Sequence, residues 1–222
     1  MISQAIEDYL KSIYKLQHGD NPNERVTTSV IADRMDVSAA SATNMFKKLA
    51  EMHLLVHMPY QGVELTSAGE KIALETIRHH RLIELYLAQA LDYPWDQIDA
   101  EADRLEHAIS EEFEDRIDKA LGYPTIGAHG EPIPTKQGQI EDLGYLRLSD
   151  LAIGQPAVIR RVSDSNPEML RYMKRLGLQL GTRVEVSKRA PFSGPLQLKI
   201  DADKEESLGL GVAYNIFVDA IA

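Results

Sequence analysis

Ser38-Ala39-Ala40-Ser41-Ala42-Thr43-Asn44-Met45-Phe46-Lys47-Lys48-Leu49 carries a helix cap followed by a helical repeat of apolar side chains. Ser38 is a good N-cap, and Ala42, Met45, Phe46 and Leu49 recur at helical spacing, so a helix with those four on its buried face is predicted to about Met52. Just upstream, Thr28 or Ser29 can cap a short helix carrying Val30, Ile31 and Met35, and Asp36-Val37 makes the turn between the two. Downstream, Leu54-Leu55-Val56-His57-Met58 and Gly62-Val63-Glu64-Leu65 alternate as two short strands around Pro59-Tyr60-Gln61-Gly62. Helix, tight turn, helix and strand pair read together as a winged helix-turn-helix over residues 26–67, whose second helix would lie in the DNA major groove.

Working outward, Ile6, Tyr9, Leu10, Ile13, Tyr14 and Leu16 mark a helix from Ser3 to Gln17, followed by a loop at His18-Gly19-Asp20-Asn21-Pro22-Asn23. Thr66-Ser67-Ala68-Gly69-Glu70 resembles a capping box, and a long helix is expected from Gly69 to Leu91. Tyr93-Pro94-Trp95 breaks it, and a second helix is expected from Ile98 to Leu121, ending at Gly122. Gly127 to Gln139 is a Gly/Pro-rich connector. From Leu148 the signals change to strands at 157–162, 183–186, 196–200 and 214–218, interrupted by one helix at 167–176, which suggests a small β-barrel. The chain is therefore read as mainly α with a small β domain, divided at 1–72, 73–140 and 141–222.

The chain has 222 residues, enough for two or three domains, and a net charge of −10. Residues 1–75 carry 7 basic and 10 acidic side chains, residues 76–140 carry 6 and 13, and residues 141–222 carry 11 and 11. Acid thus concentrates in the middle segment, where a bound cation would offset it. An acidic chain is a poor general nucleic-acid coat, so DNA binding has to come from a local surface. There is no cysteine, hence no disulfide framework and no thiolate metal site. No apolar run long enough to span a membrane and no signal-peptide pattern is seen, and a cytoplasmic location is expected.

Asp103, Glu106 and His107 stand at i, i+3 and i+4 and would share one helix face. His80 and Glu84 are at i, i+4 on the helix before them. Two carboxylates and an imidazole from one face make half of a divalent-metal site, and Asp8 is a candidate fourth ligand that would tie the reading head to the middle domain. Carboxylate and imidazole without sulfur suit Mn²⁺ or Fe²⁺, while Zn²⁺, Co²⁺, Cd²⁺, Ni²⁺ or Cu²⁺ can occupy such a site in vitro. The alternative for Asp103 and Glu106 is a solvated acidic face. His79 is expected to be exposed, and Glu111, Glu112, Glu114 and Asp115 to form a solvated run.

On the reading helix, Ser38, Ala39, Ala40, Ser41, Thr43 and Asn44 are the expected early exposed positions, with Thr28 at the start of the preceding helix. Asn44 can read a base edge, the alanines can meet thymine methyls, and Lys47 and Lys48 can reach phosphates.

The whole-chain order, with His80-Arg81-Leu82-x-Glu84, Glu101-Ala102-x-Arg104-x-Glu106-His107 and Pro132-Ile133-Pro134, resembles the diphtheria toxin repressor family. The resemblance implies a helical dimerisation and metal-binding domain and a C-terminal SH3-like barrel. It implies a primary metal site on Asp8, Asp103, Glu106 and His107, and a second on His80 and Glu84. Asp99 stands where iron sensors have another His, His129 matches a ligand position of some manganese-type members, and Asp164 is the candidate ligand from the third domain. Asp8 and Asp103 replace the Met and Cys of iron-sensing members, which resembles the manganese-responsive branch. The implied activity is a metal-activated, homodimeric repressor on a palindromic double-stranded operator, controlling metal uptake, with no membrane or small-molecule substrate as partner. The alternatives are an iron-dependent member of the same family, a metal-dependent hydrolase, and a structural metal-bound dimer whose winged helix contacts protein.

Overall fold

Helix α1 (Gln4–Gln17) forms because Ile6, Tyr9, Leu10, Ile13 and Tyr14 fall on one side and are buried there. The computed structural model describes residues 2–19, 25–58, 62–163, 166–201 and 204–221. Helices α2 (Thr28–Arg34) and α3 (Ala39–Glu51) make the helix-turn-helix. Ser38 caps α3, accepting from the Ser41 N–H at 3.1 Å. Thr27, not Thr28 or Ser29, caps α2, accepting from the Val30 N–H at 3.4 Å, because Thr28 is already inside the helix. Between the helices Asp36 takes a φ of 50°, a conformation Asp tolerates, and the Val37 N–H reaches back to the Ala32 carbonyl at 3.0 Å.

Strands β1 (Leu55–Met58) and β2 (Gly62–Leu65) pair antiparallel from Leu55↔Leu65 to Met58↔Gly62. The expected wing tip, Pro59-Tyr60-Gln61, lies outside the described residues. Gly62 is required where it stands: its φ is 99°, and a Cβ there would meet the Val26 carbonyl oxygen at 2.3 Å. That same oxygen accepts from the Val63 N–H at 3.0 Å, stitching the wing to the lead-in of α2. One core joins these elements, with Leu10, Ile13, Ile31, Leu49 and Ile77 essentially inaccessible to water.

Helix α4 (Ser67–Ala90) is long and continuous, as expected. The single helix expected from Ile98 to Leu121 is instead two, α5 (Ile98–Leu105) and α6 (Glu111–Ala120). The Ala108 N–H turns back to the Leu105 carbonyl at 2.9 Å, and Ser110 starts α6 by accepting from the Phe113 N–H at 3.2 Å. An N-cap in mid-pattern ends one helix and begins another without disturbing the hydrophobic period. Glu106 and His107 therefore lie in a turn just past α5, not on its face.

By its internal contacts the chain divides into two units. One is Met1–Leu82, Asp103–Arg116 and Ile133–Ile140, and the other is Ile83–Ala102, Ile117–Pro132 and Glu141–Ala222. The second unit holds β3 (Leu146–Arg147), β4 (Pro156–Val162), helix α7 (Pro167–Leu176), β5 (Arg183–Arg189), β6 (Leu196–Ile200), β7 (Lys204–Leu208), helix α8 (Leu210–Ala213) and β8 (Ile216–Ala220). The strands form one antiparallel sheet in the order β3-β8-β4-β5-β6-β7. This corrects the expected closed barrel: among the described residues β3 and β7 are edges and do not pair with each other. Inward-facing Ile159, Val184, Val186, Leu196, Leu198 and Val218 pack with Leu170 and Met173 of α7. Asn166 caps α7, and Gly177 ends it in the left-handed region.

Candidate metal centre and DNA-reading face

The candidate metal centre is built where α1 meets the turn after α5, inside the first unit. Asp8 Oδ1 lies 2.8 Å from His107 Nε2, and Glu106 Oε1 lies 3.3 Å from the same nitrogen. Glu7, which sequence reading missed, faces the other ring nitrogen, Nδ1, at 2.5 Å. A neutral imidazole carries one N–H and one lone pair. With the N–H donated to Glu7, the Nε2 lone pair would be left to face Asp8 and Glu106 as a third candidate ligand atom, as in a metal-binding histidine oriented by a carboxylate. Ligand atoms of Asp8, Glu106 and His107 all lie within 4.8 Å of one another.

A second group shares Glu106. His80, Asp103 and Glu106 also bring ligand atoms within 4.8 Å of one another. Lys11 of α1, also missed, fills the space between them. Its Nζ donates to Asp103 Oδ1 at 2.8 Å and to Glu106 Oε1 and Oε2 at 2.9 and 2.7 Å, and lies 3.0 Å from His80 Nδ1. Burial works against the Lys11 charge, but the Glu106 and Asp103 carboxylates outweigh it and hold its pKa above the ordinary lysine value. Burial likewise opposes ionisation of Asp103 and Glu106. Their contacts with His80 and the Lys11 ammonium win, and both carboxyls are held below the usual range, Asp103 far below. Asp8 goes the other way, raised by burial that His107 only partly offsets. The residues fit a divalent ion on two counts: oxygens and imidazole nitrogens form a hard donor set, and a cation, the Lys11 ammonium, already sits among them.

His79 is largely covered and Glu114 is buried, where exposure was expected. Glu114 accepts from Arg78 Nε at 2.5 Å, and Arg78 also donates to the Pro134 carbonyl at 2.9 Å. His79 spans from the Glu106 backbone carbonyl (3.1 Å) to Glu114 Oε2 (3.2 Å). The turn carrying Glu106 and His107 is therefore held from behind by a buried ion network.

In the second unit, Glu84 of α4 and Asp99 of α5 bring carboxylate oxygens within 4.8 Å of each other. His129 Nε2 lies 3.5 Å from Glu84 Oε1, and both side chains are fully buried. Trp95 stacks on the His129 ring at 5.4 Å. The loop of His129 is fixed to β4: Val162 N–H donates to the His129 carbonyl at 2.9 Å, and Gly130, φ 90°, leaves no room for a Cβ against the Arg160 carbonyl. Asp164 lies outside the described residues.

On α3, Ser38, Ala39, Ala40, Ser41, Thr43, Asn44, Lys47 and Lys48 are all exposed, while Ala42, Phe46 and Leu49 face the core. Thr28 is half-buried. The Thr43 hydroxyl donates to the Ala39 carbonyl at 2.8 Å, so it presents chiefly its methyl outward. Among the described residues, no helix is long and apolar enough to cross a membrane.

A winged helix-turn-helix joined to a carboxylate–imidazole cluster and followed by a small sheet domain defines a metal-responsive DNA-binding regulator. Residues 1–63 match the iron dependent repressor N-terminal DNA binding domain, residues 66–135 the iron dependent repressor metal binding and dimerisation domain, and residues 146–220 the FeoA domain. The iron-dependent repressor IdeR of Mycobacterium tuberculosis is 31% identical over 194 residues, which cover 81% of this chain and 82% of IdeR. Among solved structures, a manganese-dependent transcriptional repressor in complex with manganese aligns with a TM-score of 0.90 at 36% identity, over 97% of this chain and all of that one. ScaR with bound Cd²⁺ aligns at 0.84 and 35% identity, over 97% of this chain and 99% of ScaR. The chain belongs to the iron-dependent (diphtheria toxin) repressor family of metal-dependent transcriptional repressors. It is a regulator and not an enzyme, so the hydrolase alternative falls away.

Proposed function

We propose that the protein is a manganese-activated repressor of metal-uptake genes, which binds a palindromic operator as a homodimer. The observation that supports this best is the convergence of Asp8, on the first helix of the DNA-binding domain, with Glu106 and His107. Asp8, Glu106 and His107 would hold the ion, and holding it would tie the reading head to the segment after α5 and favour the arrangement in which these three side chains meet. The bound ion supplies that cross-link and cancels part of the local acid. Glu7 orients His107 on its far side, and the His79–Glu114–Arg78 network fixes the turn from behind.

Residues 1–72 are assigned to DNA reading, 73–140 to dimerisation and metal binding, and 141–222 to the SH3-like domain. The exposed side of α3 is the DNA contact, with Asn44 on a base edge, Lys47 and Lys48 on phosphates, and Thr28 at the edge of the interface. Manganese is favoured because the donors of both adjoining groups, Asp8 in one and Asp103 in the other, are all oxygen and nitrogen. The manganese-dependent repressor among the similar structures agrees with this, while IdeR is named for iron. Glu84, Asp99 and His129 are assigned to a second, buried seat in the other unit.

Fluorescence anisotropy on a promoter upstream of a metal transporter, titrated with Mn²⁺, Fe²⁺ and Zn²⁺, tests the reading. Mn²⁺ should activate the wild type. Asp8→Met/Asp103→Cys should shift the response toward Fe²⁺ by at least about tenfold, as softer ligands replace hard ones. DNA affinity indifferent to a chelator sinks the proposal.

A further inference from the structure

The carboxylate cluster contains two seats for a cation, and one is filled by the protein itself. The seats share Glu106: its Oε1 faces His107 Nε2 at 3.3 Å, and its Oε2 faces His80 Nδ1 at 2.6 Å. Asp8 completes the first group and Asp103 the second. A carboxylate flanked by nitrogen and oxygen donors on both sides is the usual bridge of a two-metal site, where ions sit about 3.5–4 Å apart. Here the second seat holds the Lys11 ammonium, itself buried, within 2.7–3.0 Å of Glu106, Asp103 and His80.

Resting on the metal-site reading above, we infer that Lys11 is a built-in cation that limits this cluster to one divalent ion, held by Asp8, Glu106 and His107. The steric part is direct. Hard divalent ions bind carboxylate oxygens at about 2.0–2.6 Å. An ion at that distance from Asp103 Oδ1, Glu106 Oε2 and His80 Nδ1 together would overlap the Lys11 Nζ that all three already surround, so the two exclude each other in this seat. The electrostatic part has the same sign. Glu7, Asp8, Asp103 and Glu106 against one ammonium leave a formal charge of −3, which one divalent ion brings to −1. A second ion would turn the cluster positive beside an ammonium held in by its hydrogen bonds. Without the ammonium the four carboxylates match two divalent ions.

The test is metal content together with electron paramagnetic resonance on the full-length protein dialysed against Mn²⁺. The variants are Lys11→Gln, which removes the cation, and Lys11→Arg, which keeps it. Wild type and Lys11→Arg should hold the same number of ions per subunit and show only the resolved hyperfine pattern of isolated ions. Lys11→Gln should hold one more ion per subunit, and its spectrum should show exchange coupling between neighbours. Circular dichroism reports whether each variant is folded, and Lys11→Met repeats the charge removal if Lys11→Gln is not. An exchange-coupled pair in the wild type overturns the inference. So does an unchanged count in folded Lys11→Gln or Lys11→Met. Operator anisotropy on the same samples separates the two readings: Mn²⁺-dependent DNA binding with an unchanged count sinks the Lys11 inference alone, whereas metal-independent DNA binding sinks the function.

Discussion

The Asp8–Glu106–His107 cluster and the Glu84–Asp99–His129 group use the same ligand chemistry in opposite surroundings. In the first, the Asp8 and Asp103 side chains are 34% and 57% exposed, and the buried members are balanced by an ammonium. In the second, Glu84 and His129 are fully enclosed and an indole covers the imidazole. An ion entering the open cluster can keep some of its water and finds Glu106 held in its ionised form by His80 and Lys11. An ion entering the closed one must exchange its water for a fixed set of donors. The open cluster also draws on residues nearly a hundred positions apart, Asp8 and His107, so occupancy there ties distant segments together. The closed one joins α4, α5 and the His129 loop. The same side chains thus suit a responsive switch in one place and a stabilising brace in the other.

Removing one central side chain from each cluster should separate the two roles most strongly. Glu106→Ala removes the carboxylate that both halves of the open cluster share and leaves the buried Lys11 ammonium only the part-exposed Asp103 carboxylate. Operator affinity in Mn²⁺ should fall to its metal-free level. The metal-free protein should also lose stability in denaturant unfolding, by less than the about 3–5 kcal/mol of a wholly unpaired buried charge, because Asp103 stays in contact with Lys11. His129→Ala should cost the fold about 1–3 kcal/mol for the lost packing and buried polar contact, yet leave Mn²⁺-dependent DNA binding in place. If His129→Ala abolishes the Mn²⁺ response as fully as Glu106→Ala does, the two clusters are not divided as argued.

Acid offers a second way in, through the network behind the open cluster. Burial raises the Glu114 pKa, but the hydrogen bonds from His79 and Arg78 outweigh it and hold it at about 2, against an ordinary value of 4.5. A lowered folded pKa contributes stability that is present above the unfolded value and is lost as pH falls through the folded one. The wild type's advantage over Glu114→Gln should therefore be full above pH 4.5 and shrink toward pH 2, by an amount on the order of 3 kcal/mol. His79 has the reverse sign. Burial opposes its charge, but Glu114 raises its pKa, so its contribution is present below its ordinary value of 6.5 and is lost as pH rises through the raised one. Thermal unfolding of both proteins across this range is the check. A constant gap means the Glu114 carboxylate is not what stabilises the turn.

What the sequence conceals follows from range. The reading head was legible because its signals are local: Ser38 caps, Ala42, Phe46 and Leu49 repeat, and Gly62 punctuates. Lys11 was not, because Glu7 and Lys11 stand at i, i+4 and look like a solvated helix pair, while its actual partners lie 92 and 95 positions away. His79 and Glu114 were misread for the same reason: each looks like surface until the other arrives. The split between α5 and α6 hides because Ser110 interrupts a helix without interrupting its period. Strand β7, Lys204-Glu205-Glu206-Ser207-Leu208, is missing from the expected strands because edge strands carry charges that discourage further pairing.

The smallest effects are expected on the exposed side of α3, far from either cluster in chemistry but dependent on one of them for output. Lys47→Ala should weaken operator and unrelated DNA alike and lower the slope of log affinity against log salt by about 1, the loss of one phosphate contact. Asn44→Ala should cost about 1–3 kcal/mol on the operator and little on unrelated DNA, because a base-edge contact carries sequence information that a phosphate contact does not. Neither should change how much Mn²⁺ is needed for half-maximal binding, since neither touches a ligand. Salt-series anisotropy at several Mn²⁺ concentrations reads all three quantities together. If Lys47→Ala shifts the Mn²⁺ midpoint, α3 is coupled to the ligands more tightly than an exposed face held by Ala42, Phe46 and Leu49 allows, and the division between reading surface and switch has to be redrawn.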